Sequence, residues 1–453
     1  MTVSAALRNA LGDIVDVAED SLEAARADRS GHSSAGRPLA VVHAESIEHV
    51  QITMRIATET RTPVIVRGAG TGLAGAANAG PGEIVLSTMR MNRVIEVRPD
   101  DLFAVVEPGI LNAELNTLLA EHGLWWPPDP ASRDISTVGG NIATGAGGLL
   151  CAKYGVVRDA VLGVDVVLAD GRLLHLGHRS VKGVTGLDLT SLMIGSEGTL
   201  GVVVGATLKL RRLIVGEICT LTALFPTVRA AATGSAAVTA SGAQPAIMEL
   251  MDSTALTAVH ALLSLPTPPA GTSQLTLQTD GPAAQAEADA IAATLRERGG
   301  EVTLTHDRDE GERLLAIRRS MHAAMAALGT TLIEDVSVPR SALPAMYDEI
   351  ARIEKAYDLV IPTVAHAGDG NLHPNFIFEG DVVPEHVWAA ADELFRSAIR
   401  LGGTLTGEHG IGMLKSRWLA EELGEDQWQL QRQIKAVFDP LGILNPGKVF
   451  ASA

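Results

Sequence analysis

Three glycine-rich loops interrupt the short apolar runs of the first half of the chain, and they constrain its fold more than any other feature. The first loop, Arg67 to Ala77, follows the run Pro63 to Arg67 and has glycines at positions 68, 70, 72 and 75. Runs such as Val64 to Val66 and Val164 to Leu168 have the length and composition of strands. From about Pro38 to Leu210 the sequence therefore predicts an α+β region with long irregular loops.

The first loop also matches a known fingerprint, because Gly70-Thr-Gly72-Leu-Ala-Gly75 has the GxGxxG spacing of dinucleotide-binding Rossmann folds. That fingerprint requires a helix that opens at the glycines, whereas Gly80-Pro81-Gly82 would end any such helix at once. We therefore reject the Rossmann interpretation. The small residues instead allow successive N–H groups to wrap an anion such as pyrophosphate, with plain tight turns as the alternative.

Two further glycine clusters lie at Thr137 to Gly148, after Pro128 to Ser132, and at Ile194 to Gly201. Together the three loops resemble the flavin-binding domain of the vanillyl-alcohol oxidase and p-cresol methylhydroxylase (PCMH) superfamily. The resemblance implies that FAD is approached by Arg67, Gly68, Ala69, Gly70, Thr71, Gly72, Leu73, Gly75, Pro130, Ser132, Thr137, Gly140, Asn141, Thr144, Glu197, Gly198 and Leu200. No histidine lies between Arg67 and Asn78, so non-covalent FAD is implied, and Cys151 is interpreted as a buried core thiol instead of a tether.

The second half alternates strand-like runs with longer amphipathic helices. Predicted strands are Ile218 to Phe225, Gln274 to Gln278, Val302 to Thr305 and Thr331 to Val338; predicted helices are Pro282 to Arg298, Asp309 to Leu328, Ser341 to Tyr357 and Glu385 to Leu401. In the first half, one helix is predicted from Ser46 to about Thr60, and another has Asn112 as N-cap, with Leu115, Leu118 and Leu119 on one face.

Two histidines lie seven residues apart around a glycine turn in His366-Ala-Gly368-Asp-Gly370-Asn-Leu-His373. Histidine is the commonest transition-metal ligand, and glycines permit a close approach of the two rings. Glu408 is the candidate third ligand, and an open coordination position would make such a site catalytic. Packed polar turn residues without a metal are the alternative.

These motifs resemble the C-terminal domain of FAD-linked D-lactate dehydrogenases, D-2-hydroxyglutarate dehydrogenases and the glycolate oxidase large subunit, over nearly the whole chain. The resemblance implies that His366, His373 and Glu408 bind a divalent metal, zinc first and manganese or iron as alternatives. It implies that His409 is the base, that Asn375 contacts substrate and that Arg318 binds the substrate carboxylate, for which a guanidinium is well suited. A surface position for Arg318 is the alternative. Asn445-Pro-Gly-Lys448 is a further shared feature, and Asn445 is placed with the cofactor.

The implied architecture is α+β, with a two-part PCMH-type FAD-binding domain followed by a ferredoxin-like α+β substrate, or cap, domain. We expect a helical segment at 1–37, the FAD-binding domain at 38–213, the cap domain at 214–430, and a C-terminal segment, 431–453, that packs back on the FAD-binding domain.

The predicted reaction is oxidation of a small D-2-hydroxy acid to the 2-keto acid, with hydride transfer to flavin N5 and electrons passed to an acceptor other than oxygen. D-Lactate or glycolate is favoured, because the strand Leu332 to Val336 lacks the lysine that the D-2-hydroxyglutarate branch carries before a turn proline. D-2-hydroxyglutarate oxidation is the alternative within the family. A metal-dependent hydrolase is a rival that leaves the glycine loops unexplained, and a flavoprotein subunit of a larger electron-transfer complex is another.

Charge and cysteine content exclude several other classes. The net charge of −17 disfavours nucleic acids and anionic membranes as partners. Two cysteines, Cys151 and Cys219, are too few for a disulfide framework or a thiolate cluster, which fits a reducing cytoplasm. No signal peptide or membrane span is predicted. We expect a cytoplasmic protein whose partners are the hydroxy acid and an acceptor (a quinone, a cytochrome, or a flavoprotein or Fe–S subunit). Any membrane link would pass through a partner, and a homodimer is left open.

Overall fold

Short apolar runs bounded by turns form the strands of this chain, and the computed structural model describes residues 2–380 and 382–450. The strands are β1 (Val15–Asp16), β2 (Ala40–His43), β3 (Val64–Arg67), β4 (Ile84–Ser87), β5 (Val94–Arg98), β6 (Phe103–Val106), β7 (Leu124–Trp125), β8 (Val161–Val167), β9 (Leu173–Gly177), β10 (Val202–Lys209), β11 (Arg211–Arg212), β12 (Glu217–Phe225), β13 (Ile247–Met251), β14 (Ser273–Gly281), β15 (Glu301–Thr305), β16 (Thr330–Ile333), β17 (Val336–Ser337), β18 (Thr363–His366) and β19 (Asn371–Phe378).

The helices range from one turn to more than four turns. They are α1 (Val3–Leu11), α2 (Glu19–Ala24), α3 (Ile47–Thr60), α4 (Asn112–Ala120), α5 (Val138–Thr144), α6 (Cys151–Tyr154), α7 (Leu189–Met193), α8 (Val228–Ala240), α9 (Ser253–Leu262), α10 (Ala284–Glu297), α11 (Arg308–Arg319), α12 (Met321–Leu328), α13 (Leu343–Tyr357), α14 (Glu385–Arg400), α15 (Ser416–Leu423) and α16 (Glu425–Phe438). None of these described helices is long and apolar enough to cross a membrane.

The chain divides into two compact units. Unit 1 consists of the chain up to Gly147, Gly155–Leu213 and the chain from Glu408 onward, and unit 2 consists of Gly148–Tyr154 and Ile214–Gly407. Unit 1 has a four-stranded sheet in the order β1-β2-β4-β3 and a five-stranded antiparallel sheet in the order β5-β6-β10-β8-β9. Since β2, β4 and β3 run parallel, the glycine loop after β3 leaves the sheet at the carboxyl ends of these strands.

Each sheet of unit 1 is covered by its own helices. The four-stranded sheet packs on α1 and α3 through Leu7, Val50 and Met54, all of which are inaccessible to solvent. The five-stranded sheet packs on α4 and α5 through Leu115, Leu119 and other buried side chains. This burial holds β3, which the first glycine loop follows, and β10, which the third glycine loop precedes.

Unit 2 is built on one antiparallel sheet with the order β15-β12-β14-β13-β18-β19-β16, and β17 also pairs with β19. Helices α8 and α10 pack on its β12 and β14 side, where Phe225, Leu277 and Leu295 are buried. Strands β18 and β19 form a hairpin in which Val364 pairs with His373 and His366 pairs with Asn371. The hairpin therefore places the two motif histidines on adjacent strands.

Most of the predicted elements are present with small changes of boundary, but five predictions were wrong. Asn112 is the first residue of α4 and not its cap, because its side chain is buried and donates to Pro128 O and Asn141 Oδ1. Leu118 is 41% exposed, so the buried face of α4 is narrower than predicted. Cys151 is half-buried, not a core thiol.

Two predicted elements of unit 2 are interrupted. The predicted strand Thr331 to Val338 breaks into β16 and β17 at Glu334 and Asp335, where Asp335 turns inward to accept hydrogen bonds from Asn371 and Thr406. The predicted helix Asp309 to Leu328 breaks at Ser320, whose hydroxyl donates to Ala316 O and so competes with the regular helical pattern.

Residues near the C-terminus join the edge of the four-stranded sheet. Val64 N donates to Ile443 O over 2.7 Å, and Asn445 N donates to Val64 O over 2.9 Å. Leu444 is fully buried in the same core as α1 and α3. This stretch of unit 1 thus extends the sheet beside β3, next to the strand that feeds the first glycine loop.

Candidate functional site

The first glycine loop is held in shape by two cationic side chains that bind backbone carbonyls. The Arg67 guanidinium donates to Ala77 O and Ala27 O, over 2.8 and 2.9 Å. Lys448 Nζ donates to Gly75 O and Asn78 O, over 3.0 and 2.8 Å, and burial lowers the pKa of Lys448 to about 8. Both cations are therefore part of the scaffold of the loop.

The backbone amides of this loop remain available to a ligand. Within the described part of the chain, no amide from Ala69 to Gly75 donates a hydrogen bond to another protein group, and residues 69 to 73 are partly exposed. In the described part of the chain the next helix after the loop is α4, and three strands come before it, so the helix that the Rossmann fingerprint requires is not present at the glycines. A run of accessible amides fits a phosphate or pyrophosphate group, so the loop is suited to the diphosphate of FAD.

The second loop packs directly against the first. Thr137 caps α5 by accepting a hydrogen bond from Gly140 N over 3.2 Å. A Cβ on Gly68 would lie 2.6 Å from Thr137 Oγ1, which explains why only glycine fits there. Asn141 is buried and uses its side chain to bind Asn112 and Ser136. Gly140, Asn141 and Thr144 lie in α5, and Pro130 and Ser132 lie in the preceding turn.

The third loop is tied to the first by the C-terminal segment. Asn445 Oδ1 accepts from Val66 N over 2.8 Å, and its Nδ2 donates to Glu197 O over 2.6 Å. A Cβ on Gly198 would lie 2.8 Å from Asn445 Nδ2, and Leu200 is buried in the adjacent core. The Asn445 side chain thus aligns two loops of unit 1. Any contact of Asn445 with a cofactor would use atoms other than Oδ1 and Nδ2.

The Glu197 carboxylate supports the turn that carries His409. Its two oxygens accept hydrogen bonds from Ile411 N and Gly412 N, over 2.7 and 2.8 Å. Gly410 lies against the same carboxylate, since a Cβ there would be 3.0 Å from it. Burial raises the pKa of Glu197 to about 7. One buried carboxyl group therefore links the third glycine loop to the segment that follows the predicted base.

We expect Glu197→Gln to change the pH dependence of stability. The folded protein holds the Glu197 proton up to a pKa of about 7, whereas the ordinary pKa of a glutamate is 4.5, so stability from this group is full below pH 4.5 and is lost as the pH rises to about 7. The loss is at most about 3 kcal/mol. Denaturant unfolding of the FAD-free wild type and variant measures this effect. The free energy of unfolding of the wild type should fall relative to that of the variant as the pH rises through this range. A difference that does not change with pH would contradict the assignment.

His366 and His373 come together on the β18–β19 hairpin of unit 2. Their ring centroids are 5.0 Å apart and the rings are nearly perpendicular, and both residues are buried. The turn between them needs glycine at position 370, which has φ +89° and where a Cβ would lie 2.1 Å from Val338 O. The structure thus brings together the two predicted histidine ligands.

Each histidine has a buried carboxylate behind it. His366 Nδ1 lies 2.7 Å from Glu249 Oε1, and a carboxylate can only accept, so Nδ1 carries the proton and a metal would bind at Nε2. His373 Nδ1 lies 3.9 Å from Asp335 Oδ1. Carboxylates behind the rings are typical of metal-ligating histidines, whose tautomer and orientation they fix. The histidine pair therefore fits a divalent metal.

Arg318, on α11, shares the carboxylate of Glu249 with His366. Its Nε donates to Glu249 Oε2 over 2.8 Å, and its side chain is only 12% exposed. Burial acts to raise the pKa of Glu249, but the charges of His366 and Arg318 outweigh burial and lower this pKa. Arg319 is exposed and pairs with Glu312. The buried arginine is therefore the one predicted to bind a substrate carboxylate.

The other predicted site residues are Asn375 in unit 2 and Glu408 and His409 in unit 1. Asn375 is buried on β19, two residues after His373 and so on the same face of the strand, and its Nδ2 donates to His373 O and Pro362 O. Its Oδ1 is the atom left for a substrate contact. In unit 1, Glu408 Oε1 lies 3.7 Å from His409 Nε2, and both side chains are largely buried. Metal binding by Glu408 and proton transfer by His409 stay predictions.

Sequence reasoning missed Glu249, Asp335 and Lys448 as parts of the site. Glu249 is the only charged residue of the fully buried strand β13, Ile-Met-Glu-Leu-Met, and a buried carboxylate requires a partner. Asp335 has the same signal in the predicted strand Thr331 to Val338. A charged residue within an apolar strand could therefore have identified both carboxylates, but their partners became visible only in the fold.

Comparison with known proteins places both halves of the chain in described families. Residues 38–177 match the family described as FAD binding domain, and residues 216–449 match the family described as FAD linked oxidases, C-terminal domain. The chain is 36% identical over 457 residues to glycolate oxidase subunit GlcD of Bacillus subtilis, covering 96% of this chain and 97% of that protein. It is 33% identical to the probable mitochondrial D-lactate dehydrogenase of Danio rerio, covering 91% and 84%.

Solved structures show the same fold at lower identity. A substrate-bound p-cresol methylhydroxylase superposes with a TM-score of 0.80 at 18% identity, over 99% of this chain and 96% of that one. A 4-ethylphenol oxidase from Gulosibacter chungangensis gives a TM-score of 0.77 at 18% identity, over 99% and 96%. The α+β fold with a PCMH-type FAD-binding part, expected from the glycine loops, is confirmed.

Proposed function

The chain belongs to the FAD-linked oxidase family, and from that premise we propose that it oxidises a small D-2-hydroxy acid to the corresponding 2-keto acid. The family matches make it an FAD-linked oxidoreductase. Relatives named glycolate oxidase and D-lactate dehydrogenase span nearly its whole length, which supports a hydroxy acid as the substrate class. A hydrolase would leave the FAD-binding part without a role.

One observation carries the substrate proposal. The two oxygens of Glu249 bind His366 and Arg318, over 2.7 and 2.8 Å. A single buried carboxylate therefore holds a predicted metal ligand and a predicted carboxylate-binding cation side by side. A 2-hydroxy acid presents a hydroxyl and a carboxylate on adjacent carbons. The hydroxyl suits the metal that His366 is predicted to bind, and the carboxylate suits Arg318.

Each predicted site residue has a separate role in the proposed reaction. FAD, when bound, supplies the two-electron acceptor, and a divalent metal held by His366, His373 and Glu408 would lower the pKa of the substrate hydroxyl. We propose zinc, with manganese or iron as alternatives. Arg318 binds and orients the carboxylate with the nitrogens not used by Glu249, and Asn375 offers Oδ1 to the substrate. His409 accepts the hydroxyl proton as the general base.

We propose a monocarboxylate, D-lactate or glycolate, in preference to D-2-hydroxyglutarate. The predicted strand Leu332 to Val336 offers Glu334 and Asp335, both buried, where the hydroxyglutarate branch is expected to carry a lysine. Two buried acidic residues would repel a second substrate carboxylate. The electrons would pass to an acceptor other than oxygen, such as a quinone, a cytochrome or a partner redox subunit.

We expect Glu249→Gln to lower kcat/KM for the hydroxy acid by about 10- to 100-fold, because groups behind metal ligands have effects of this size. Glutamine cannot neutralise Arg318 and accepts through only one of its two polar atoms. The matched control is Glu312→Gln, which removes the exposed carboxylate beside Arg319 and should leave kcat/KM unchanged. Equal effects of both substitutions, or an effect explained by loss of bound FAD, would contradict a positioning role for Glu249.

Steady-state turnover with an artificial electron acceptor tests the function directly. The purified protein should be yellow and should oxidise D-lactate or glycolate, with D-2-hydroxyglutarate slower and L-lactate inactive. A colourless protein would remove the redox proposal and leave the hydrolase. A yellow protein that oxidises a hydroxy acid only when a further subunit is added would assign it to an electron-transfer complex.

A further inference from the structure

We propose that Glu217, Cys219 and His306 form a second metal site, at the end of the unit 2 sheet away from the histidine hairpin, that takes a thiophilic divalent cation such as Zn²⁺. One ligand atom from each residue lies within 4.8 Å of the other two. The site goes beyond the oxidation proposed above, in which none of these residues takes part.

The backbone itself brings the three side chains together. Glu217 and Cys219 are two residues apart on β12, so they share one face of the sheet. Strand β15 pairs with β12 through Thr220 and Thr305, and the next position along this antiparallel register sets Cys219 beside His306. Directly opposite residues of such a pair have Cβ atoms about 5 Å apart. Strand register thus places the backbone of Cys219 and His306 side by side, with Glu217 on the same face of β12.

The spacing suits a tetrahedral ion. Cys219 Sγ and His306 Nδ1 are 3.3 Å apart. A zinc ion with a sulfur ligand at about 2.3 Å and a nitrogen ligand at about 2.0 Å holds these atoms roughly 3.5 Å apart at a tetrahedral angle. Cys219 is fully buried while Glu217 and His306 are exposed. The three protein ligands would therefore bind the ion from the protein side, and a water molecule would take the coordination position that faces solvent.

The surroundings of the thiol favour a cation. Burial raises the pKa of Cys219, and the negative charges of Glu217 and Asp289 raise it further, against a hydrogen bond from Thr279 that lowers it. The same charges that oppose a bare thiolate attract a divalent ion, and binding would then release the thiol proton. The alternative is a hydrogen bond between a neutral thiol and the imidazole.

The proposed site is distinct from the histidine hairpin. Strands β14 and β13 lie between β12 and β18 in the sheet. Three strand spacings of about 4.8 Å separate β12 from β18 by roughly 14 Å, so one ion cannot serve both places. Only the proposed site includes a cysteine, and the chain has one other cysteine, Cys151. A thiolate–metal signal therefore reports on Cys219 once Cys151 has been replaced.

Cobalt titration of the FAD-bound protein tests the proposal. After chelator treatment, Co²⁺ added to Cys151→Ser should produce a thiolate-to-cobalt charge-transfer band in the difference spectrum. The band should saturate by two equivalents, because the histidine pair is proposed to bind the other ion, and Zn²⁺ should displace it. His306→Gln should weaken the affinity for this band at least about 10-fold, and further replacement of Cys219 by Ser should remove it. His175→Gln, which alters an exposed imidazole beside Asp165 in unit 1, should leave it unchanged.

Three outcomes would overturn the second site. These are absence of the band in folded, yellow protein; persistence of the band when both cysteines are serine; and an affinity that His306→Gln does not alter. Hydroxy acid turnover of the Cys219→Ser and His306→Gln variants should remain at the wild-type level. Failure of the proposed oxidation would leave the cobalt band in place, so the two proposals are tested separately.

Discussion

Replacing His366 or His373 with alanine is expected to lower the rate at which D-lactate or glycolate reduces the bound flavin by at least about 10³-fold, because metal ions contribute several kcal/mol to such steps. The two buried rings lie with their centroids 5.0 Å apart; Glu249 binds His366 through a hydrogen bond, and the Asp335 carboxylate lies 3.9 Å from His373 Nδ1. Loss of one ring removes one of only three predicted metal ligands. Stopped-flow absorbance of the flavin under anaerobic conditions measures the rate.

The control for this loss is His322→Ala, which removes an exposed histidine of α12 in the same unit and should reduce flavin at the wild-type rate. A chelator should slow the wild type to the level of His366→Ala and should have no further effect on that variant. Wild-type rates in both histidine variants, with FAD still bound, would show that the pair is structural.

Replacing His409 with asparagine is expected to lower the rate of flavin reduction by substrate about 10²- to 10⁴-fold while FAD stays bound. General-base catalysis contributes about 10²- to 10⁴-fold, and asparagine keeps a polar group of similar reach without the ability to accept a proton. His409 lies in a turn of unit 1 that is supported by the Glu197 carboxylate through Ile411 and Gly412. A substitution at position 409 leaves those backbone hydrogen bonds intact, so the turn should persist.

Substrate affinity separates this role from a binding role. His409→Asn should still bind the hydroxy acid, seen as a perturbation of the flavin spectrum, with an unchanged dissociation constant. The residual rate should also lose its dependence on the ionisation of a base. Retained flavin reduction at the wild-type rate would remove the base assignment and direct attention to another acceptor of the proton.

Local sequence patterns were sufficient to predict most strands and helices. The helix predicted from Ser46 to about Thr60 is α3, and apolar runs defined β3, β8 and β12 within one to three residues of the observed bounds. The failures occurred where a polar side chain makes a long-range contact. Asn112 binds Pro128 and Asn141 instead of capping its helix, and Asp335 binds Asn371 and so interrupts a strand. Such contacts depend on the tertiary fold and leave no local pattern.

The residues of the candidate site also differ in whether the sequence alone could identify them. His366 and His373 could be recognised because they lie seven residues apart around a glycine turn. Glu249 could not be paired with them, because it is 117 residues from His366 along the chain and 69 from Arg318. Lys448 supports the first glycine loop from 373 residues away. Sequence motifs thus identify the predicted metal ligands, while the residues that support them come from distant parts of the chain and become visible only in the fold.

The most direct test of the account is anaerobic mixing of the purified protein with glycolate, D-lactate, L-lactate and D-2-hydroxyglutarate, with and without chelator, followed by flavin absorbance. We predict that glycolate or D-lactate bleaches the flavin, that L-lactate does not, and that chelator prevents the bleaching. A bound flavin that none of these acids reduces would contradict the proposed function, and bleaching unaffected by chelator would contradict the metal.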